Sequence, residues 1–346
     1  MKNKLFATAA LSVMLLNPGV LSFADTRPAT AKRAQLGQLV SLLPASDGVV
    51  TLDAKRFFGD ALPRLLAAKP AMLGDITKKI DEVQTKTGID VRQFETVAVG
   101  VSVRKTGPSK FDMDPVILAR GQVNAPGLIG AAKLAANAKY REERVGTRTI
   151  YIFSAKDVAA QAKAPSAPAV TDKILGNLSD DVAVTAYNAN TIAFGTPARL
   201  RETLEAKTHV GTDITGLLGR KEVSVANFAL KTPEGMSSFL PLDNDELGKS
   251  LASIRYLFGS MDVAADAAVF NLTAKTLQNA QAQSLFETLQ GLQVIGKAAL
   301  GGSKSPEKQV YVRLIDSAKI TTSGSEVALD LRVPQADIDI LVGSLK

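Results

Sequence analysis

Twice in this chain a short alternating segment turns on small polar residues, returns as a second such segment and runs without a gap into a helix. VAVTAYNANTIAFGTPARLRETLE, residues 182–205, does so first, and SAKITTSGSEVALDLRVPQADIDILVGSL, residues 317–345, does so again. A tight turn between alternating segments makes antiparallel neighbours, and a helix that follows at once must fold back over the sheet they belong to. The expected class is therefore α+β, with antiparallel sheets and helices packed on one face. In EVALDLRV the apolar Val327, Leu329, Leu331 and Val333 alternate with mostly polar neighbours, as in a strand that is dry on one side and wet on the other.

The same order extends along the chain. ETVAVGVSVRK (95–105) and PVILARGQV (115–123) read as strands, APGLIGAAKLAANAK as a helix, and YREERV with RTIYIF as a hairpin around Gly146. In the second half SIRYLFGSMDVAA and AAVFNLTAKTL read as strands, and residues 279–300 as a helix. Its Ala282, Leu285, Phe286, Leu289, Leu292 and Ala299 keep the spacing of one buried stripe. Two further helices, split near Pro70, carry Leu62, Leu65, Leu66 and then Met72, Leu73, Ile76, Ile80 and Val83 on their apolar faces. Strand-strand-helix-strand-strand-helix in both halves suggests a duplicated unit, with a first unit over 39–208 and a second over 217–346. Residues 25–38 are expected to be a flexible lead. An Ala/Pro-rich loop is expected at 159–172, and a third loop at 301–308.

The first 24 residues read as a secretory signal peptide. Lys2 and Lys4 precede an apolar run from Leu5 to Leu16, a breaker follows at Asn17-Pro18-Gly19, and Ser22-Phe23-Ala24 offers the small residues of a cleavage site. The run is shorter than the roughly 20 residues that span a bilayer, so the expected product is exported, periplasmic or extracellular, with no transmembrane anchor after cleavage. With no cysteine in 346 residues, the chain has neither disulfide nor thiolate nucleophile, and at this length it can bury enough core without cross-links. Losing Lys2 and Lys4 leaves 39 basic against 34 acidic residues, a net charge of +5. The charges are interspersed and Trp is absent, which gives no stacking groove for nucleic acid.

Reactive constellations fail one by one. His209 is the only histidine, which removes the usual zinc and haem ligand sets, and no G-x-S-x-G elbow presents a serine to it. Ser102 to Lys105 has the letters of a serine-lysine pair, but on a strand positions three apart face opposite ways. Ser305 to Lys308 reads better as a helix cap with proline in the first turn. Gly211 to Gly216 lacks the lysine of a phosphate loop. Asp243 to Gly248 opens like a calcium loop but has Leu247 at the fifth place and Ile254 at the twelfth, so a helix start capped by Asp243 or Asn244 explains it better. The pairs Asp112 with Asp114 and Asp180 with Asp181 would serve a hydrolase only if they met in space.

Gly195-Thr196-Pro197 is the remaining candidate. A helix start carries partial positive charge and unpaired N–H groups, so Thr196 with Arg199 and Arg201 forms a weak anion-site candidate. Thr196 as N-cap, Pro197 at the first helical position and Leu200 with Leu204 on one face describe an ordinary helix entry equally well. Under that favoured reading both arginines point outward.

LLPASDGVVTLDAKRFF, TGIDVRQFETVAVGV, YREERVGTRTIYIF and TIAFGTPARLRETLE together resemble a family of exported bacterial proteins of unknown function built of repeated α+β units. The resemblance covers about residues 40 to 205. It implies the fold and the exported address, and brings no catalytic residue. The expected function is thus a non-catalytic binding or organising protein of the bacterial cell envelope, with no cofactor and an envelope component as partner. The alternatives are a carrier of an apolar ligand or lipid and a hydrolase using carboxylates.

Overall fold

The computed structural model describes residues 29–88, 90–107, 110–136, 139–154, 181–218, 220, 224–233 and 245–344. The expected signal peptide at 1–24, the loop at 159–172, Asp180 and the caps Asp243 and Asn244 lie outside them.

In chain order the elements begin with α1 (Ala29–Val40) and β1 (Gly48–Asp53). A helical run follows, in which α2 (Ala54–Arg56) and α3 (Leu62–Leu65) flank a π turn, Phe57–Ala61. Then come α4 (Pro70–Thr87), β2 (Phe94–Gly107), β3 (Lys110–Gly121), α5 (Ala125–Ala135), β4 (Arg141–Val145) and β5 (Arg148–Ser154). They are followed by β6 (Asp181–Asn188), β7 (Thr191–Gly195), α6 (Pro197–Glu205), α7 (Thr212–Leu218) and β8 (Ala226–Lys231). The chain closes with α8 (Asp245–Ala252), β9 (Ile254–Val263), β10 (Ala267–Thr276), α9 (Asn279–Gly301), α10 (Pro306–Ser317), β11 (Lys319–Ser323), β12 (Glu326–Pro334) and α11 (Gln335–Gly343).

The strands form one twelve-stranded sheet in the order β11-β12-β10-β9-β8-β1-β2-β3-β7-β6-β5-β4, with every neighbour antiparallel. The two halves join at the pair β1 and β8, in register from Gly48 opposite Leu230 to Leu52 opposite Ala226. Outward from this seam the order is β2-β3-β7-β6 on one side and β9-β10-β12-β11 on the other. Both halves thus contribute a hairpin, a return by helix, and a second hairpin whose later strand pairs inward. The first half adds β4 and β5 at its margin. Gly324, at φ 56°, supplies the left-handed residue that the tight β11–β12 turn needs.

Helices cover both faces, where the sequence reading placed them on one. On the first face Leu39 and Val40 of α1, Leu200 of α6, and Ile214 and Leu217 of α7 bury Val49, Ala98, Val116, Leu118, Ala193, Ala229 and Phe258. On the second, Phe57, Ala61, Leu62 and Ile76 pack on Ala226, Met261 and Val263. There too Ile129 of α5 packs on Phe153, Val182 and Val184, and Ala282 and Leu285 of α9 pack on Ile254, Ala274 and Val327. The physical reason is in the strands themselves. Val182-Ala183-Val184 and Val116 to Ala119 are unbroken apolar runs, which only a strand covered on both sides can bury. One-sided covering does hold at the margin. There β12 turns Asp330 and Arg332 away from the helices, and Asn271 Nδ2 donates to Asp330 after its Oδ1 accepts from Ser260 Oγ at 3.2 Å.

Three other expectations change. The presumed flexible lead forms α1 from Ala29, and its Leu36 is buried. The apolar stripe of α9 is buried only in its first half, since Leu292 is 42% exposed and Ala299 is exposed. The second half leaves the sheet to lie along α10, where Gln293 Nε2 donates to the Ala318 carbonyl at 3.0 Å. The loop read at 301–308 shortens to 302–305, and Ser305 stands at the cap position with its hydroxyl donated to Glu307.

At Gly259 in β9 an added Cβ would lie 2.0 Å from the Asn271 carbonyl oxygen of β10, whereas at Gly74, exposed in α4, it would meet nothing. Gly259→Ala is expected to destabilise the protein by about 1–3 kcal/mol or more. Gly74→Ala should stabilise it by about 0.5–1 kcal/mol. Urea unfolding midpoints of the two variants should move in opposite directions.

Candidate functional site

The sequence candidate at the start of α6 is built by the β7–α6 junction. Thr196 is extended (φ −73°, ψ 155°) and its Oγ1 accepts from the Arg199 N–H at 3.2 Å, as an N-cap does. The same hydroxyl donates to Asp114 Oδ1 at 2.9 Å, so a carboxylate of the chain itself sits at this helix start, where the dipole favours negative charge. Arg104 lies 3.5 Å from Asp112 and 3.6 Å from Asp114.

Arg199 does not point outward. It is 3% exposed, donates through Nη1 to the Ala45 carbonyl at 3.1 Å and to Glu202, and through Nη2 to Ser46 Oγ at 2.8 Å. Its side chain fastens the connection between α1 and β1 to α6, across about 150 residues of sequence. Sequence reading missed this because helix spacing gives a residue's angle around the axis, while the cover over that angle comes from a distant loop. Arg201 lies nearer the surface and grips Glu143 of β4 with two nitrogens, one at 2.7 Å. That hydrogen bond holds the Glu143 carboxyl below its usual range and raises the Arg201 guanidinium. A groove of about 490 Å³ runs beside the pair, lined by Arg144, Val145, Leu204 and Glu205 among others. Lys207 at its end pairs with Glu205 at 2.8 Å.

The remaining sequence candidates disperse. His209 is exposed between α6 and α7. Asp181 pairs with Arg141, Ser102 and Lys105 lie on β2, and residues 212–216 belong to α7, whose Asp213 accepts from the Tyr256 hydroxyl at 3.0 Å. Among the described residues no three His, Cys, Asp or Glu side chains are placed to hold a metal ion, and no helix is long and apolar enough to cross a membrane.

A different feature emerges at the centre of the sheet. From Val49 to Asp53 in β1, Phe94 to Gly100 in β2, Thr191 to Gly195 in β7 and Asn227 to Leu230 in β8 burial alternates: the first face is buried and the second is half-buried. In β2 from Thr96 onward, and in β7 and β8, the larger apolar side chains are on the half-open face, while the buried face carries small and polar residues. Val97, Val99, Val101 and Val103 of β2 stand there, with Ala98, Gly100 and Ser102 opposite. Phe228 and Leu230 of β8 likewise alternate with Asn227 and Ala229, and Ile192 and Phe194 of β7 with Thr191, Ala193 and Gly195. Small residues let the α1–β1 connection and α6 approach closely: a Cβ at Gly100 would lie 2.6 Å from Ser46 Oγ, and one at Gly195 would lie 3.2 Å from Leu200 Cδ1.

Registered pairing lines the large residues into one row. Leu329, Leu272, Gly259, Phe228, Val50, Val99, Ile117, Phe194 and Val184 are successive cross-strand partners from β12 to β6. Leu272 is 38% exposed, and Val50, Val99, Ile117 and Phe228 are half-buried. A second row, Leu257, Leu230, Gly48, Val101 and Pro115, runs alongside. The helical run from α2 to α4 and helix α5 cover the next row in the other direction, and α8 and α9 close the end at β9 and β10. From β10 to β7 the strip spans about 29 Å at the usual strand spacing of about 4.8 Å. The signal for it was present in the large-small alternation of TVAVGVSV, ANFALK and TIAFG. The long-range register that aligns them was not.

No protein-family model matches the chain, and no curated protein matches it. Among solved structures it is similar to the Treponema protein TP0453 in several crystal forms. Form III has a TM-score of 0.43 at 8% identity and covers 88% of this chain and 98% of that one. Form IV has a TM-score of 0.44 at 9% identity, and form I one of 0.41 at 8%, each covering 88% and 96%.

Two outcomes follow from the α6 junction. Arg199→Met should cost about 1–3 kcal/mol, because it takes the buried donor away from the Ala45 carbonyl and the Ser46 oxygen; hydrogen exchange should accelerate first at residues 43–47. Glu143→Gln should cost about 0.5 kcal/mol or less at neutral pH, since the pair is over a third exposed at Arg201. A lowered carboxyl pKa stabilises the fold above the unfolded value and ceases to do so as pH falls through the folded one. Unfolding midpoints of wild type and Glu143→Gln should therefore differ at pH 7 and converge in acid.

Proposed function

We propose that this is a non-catalytic binding protein of the bacterial cell envelope, and that the half-open face of its sheet takes an apolar chain, such as the acyl chain of a lipid. One observation carries the reading: in β2, β7 and β8 the larger apolar side chains stand on the face that helices leave half-open, and Val50 and Ile117 continue the row between them. Burying such side chains contributes about 25 cal/mol per Å² of apolar surface removed from water, so this strip rewards any long apolar ligand laid along it. Helices flank the strip, with the run from α2 to α4 and α5 along one side and α8 and α9 at one end. The exported address rests on the signal-like Met1 to Ala24 segment. Every acidic group that sequence reading had paired for hydrolysis and that is described has an arginine within 4 Å, which favours binding over carboxylate chemistry.

Titration with a naturally fluorescent polyene fatty acid is expected to saturate. Ile117→Gln, in mid-strip, should weaken it at least about fivefold, while Leu134→Gln should leave it unchanged, because Leu134 is 80% exposed on α5 away from the strip. Thermal melting of each variant separates lost binding from lost folding. Absence of saturable binding by a folded wild-type protein would overturn the reading.

A further inference from the structure

Among the described residues the sheet ends in two unpaired edges, β4 and β11, and free edges invite pairing unless something blunts them. Strand β4, Arg-Glu-Glu-Arg-Val, is blunted by charge. Arg141 pairs with Asp181, Glu142 with Lys133 at 3.0 Å, and Glu143 with Arg201. Pairing β4 with itself about its middle residue would set Glu143 against Glu143. Strand β11, Lys-Ile-Thr-Thr-Ser, carries one charge, and its Lys319, Thr321 and Ser323 are exposed.

We propose that β11 is a self-association edge, at which a second copy of this chain pairs antiparallel about a two-fold axis through Thr321 and extends the sheet across both copies. The backbone geometry is right for this. A two-residue turn, Gly324-Ser325, joins Ser323 to Glu326, and the pair closing such a turn exchanges hydrogen bonds. Inward and outward bonding then alternate, so Lys319, Thr321 and Ser323 bond to β12 while Ile320 and Thr322 direct their N–H and C=O groups away from the sheet. A two-fold at Thr321 places Ile320 of each copy opposite Thr322 of the other, so the outward groups meet in about four hydrogen bonds. It also sets Thr321 opposite Thr321, a favourable cross-strand pair, and Lys319 opposite Ser323, with no like charges opposed.

Edge hydrogen bonds alone make a weak contact, and the neighbouring helix offers the apolar surface that a stable one needs. Helix α9 lies chiefly along α10 and, among the strands, most closely over β11. Gln293 ties its second half to Ala318, the residue before the strand, at 3.0 Å. On that half Leu292, Val294 and Ile295 are 42%, 70% and 65% exposed. An isologous contact brings two such surfaces together at once.

Sedimentation velocity of the full chain across micromolar concentrations should show a dimer. Thr321→Glu and Thr321→Lys each oppose like charges at the axis and should raise the dimer dissociation constant about tenfold or more, while an equal mixture of the two should dimerise again. Thr322→Pro removes an outward N–H that β12 does not use, and should also yield monomer. Glu142→Lys on β4 should leave the dimer intact. Circular dichroism confirms that each variant is folded. A wild type that stays monomeric, or a dimer that survives Thr321→Glu and Thr322→Pro, overturns the proposal.

Discussion

The pairing of β1 with β8 holds this architecture together. Gly48 and Leu230 are far apart in the chain yet face each other where the two halves join, and without that seam the molecule would be two sheets with two more free edges. The seam is covered along its first face and, at the end where Leu52 meets Ala226, on its second. On the first face Val49 and Ala229 join the largest core cluster, and on the second Leu52 and Ala226 lie under the π turn and its flanking helices. Closing so long a loop costs entropy that grows only slowly with length, so burial on both faces is enough to hold it. Every other register in the centre, including the row from Leu329 to Val184, is inherited from it.

A seam of this kind makes the two faces unequal. Small residues on the first face of β2 and β7 let the α1–β1 connection and α6 approach, and Arg199 then locks the approach by bonding to Ala45 and Ser46. The larger residues are thereby set on the second face, where the covering helices stand toward either end. Closeness on one side and openness on the other are two results of the same alternation.

Much of this was legible from local chemistry. Thr196 and Pro197 announced the start of α6, Gly324 the β11–β12 turn, and Pro70 the break between helices. Each depends on residues within one turn of one another, and the structure places all three where they were expected. What was not legible depends on distant partners. Leu36 lies in a polar, Pro-containing lead that looked unstructured, and α1 forms there because Leu39, Val40 and Leu43 have a sheet to bury against. Arg199 looked exposed until a loop from the other end of the half arrived over it. Leu292 and Ala299 keep perfect helical spacing with Leu285, but the strands beneath α9 end before they are reached. Periodicity shows which residues share a face, and only tertiary structure shows whether that face is covered.

Coverage can be compared with composition across the whole sheet. Twelve strands at about 4.8 Å make a layer roughly 50 Å wide, and a packed helix occupies about 10 Å of it, so sealing one face takes about five helices side by side. The first face has α1, α6 and α7 over its centre and first half. Where those helices stop, at β10 and β12, its side chains turn polar, with Asn271, Asp330 and Arg332 in place of valine and leucine. Sequence and cover agree there. On the second face they do not: the helices gather over the margins and one row, while Val50, Val99, Ile117, Phe228 and Leu272 remain apolar in the gap. Polar residues at these positions would cost the fold little, since half-exposed sites tolerate them. That row of apolar side chains is the surface that the proposed ligand chain would remove from water.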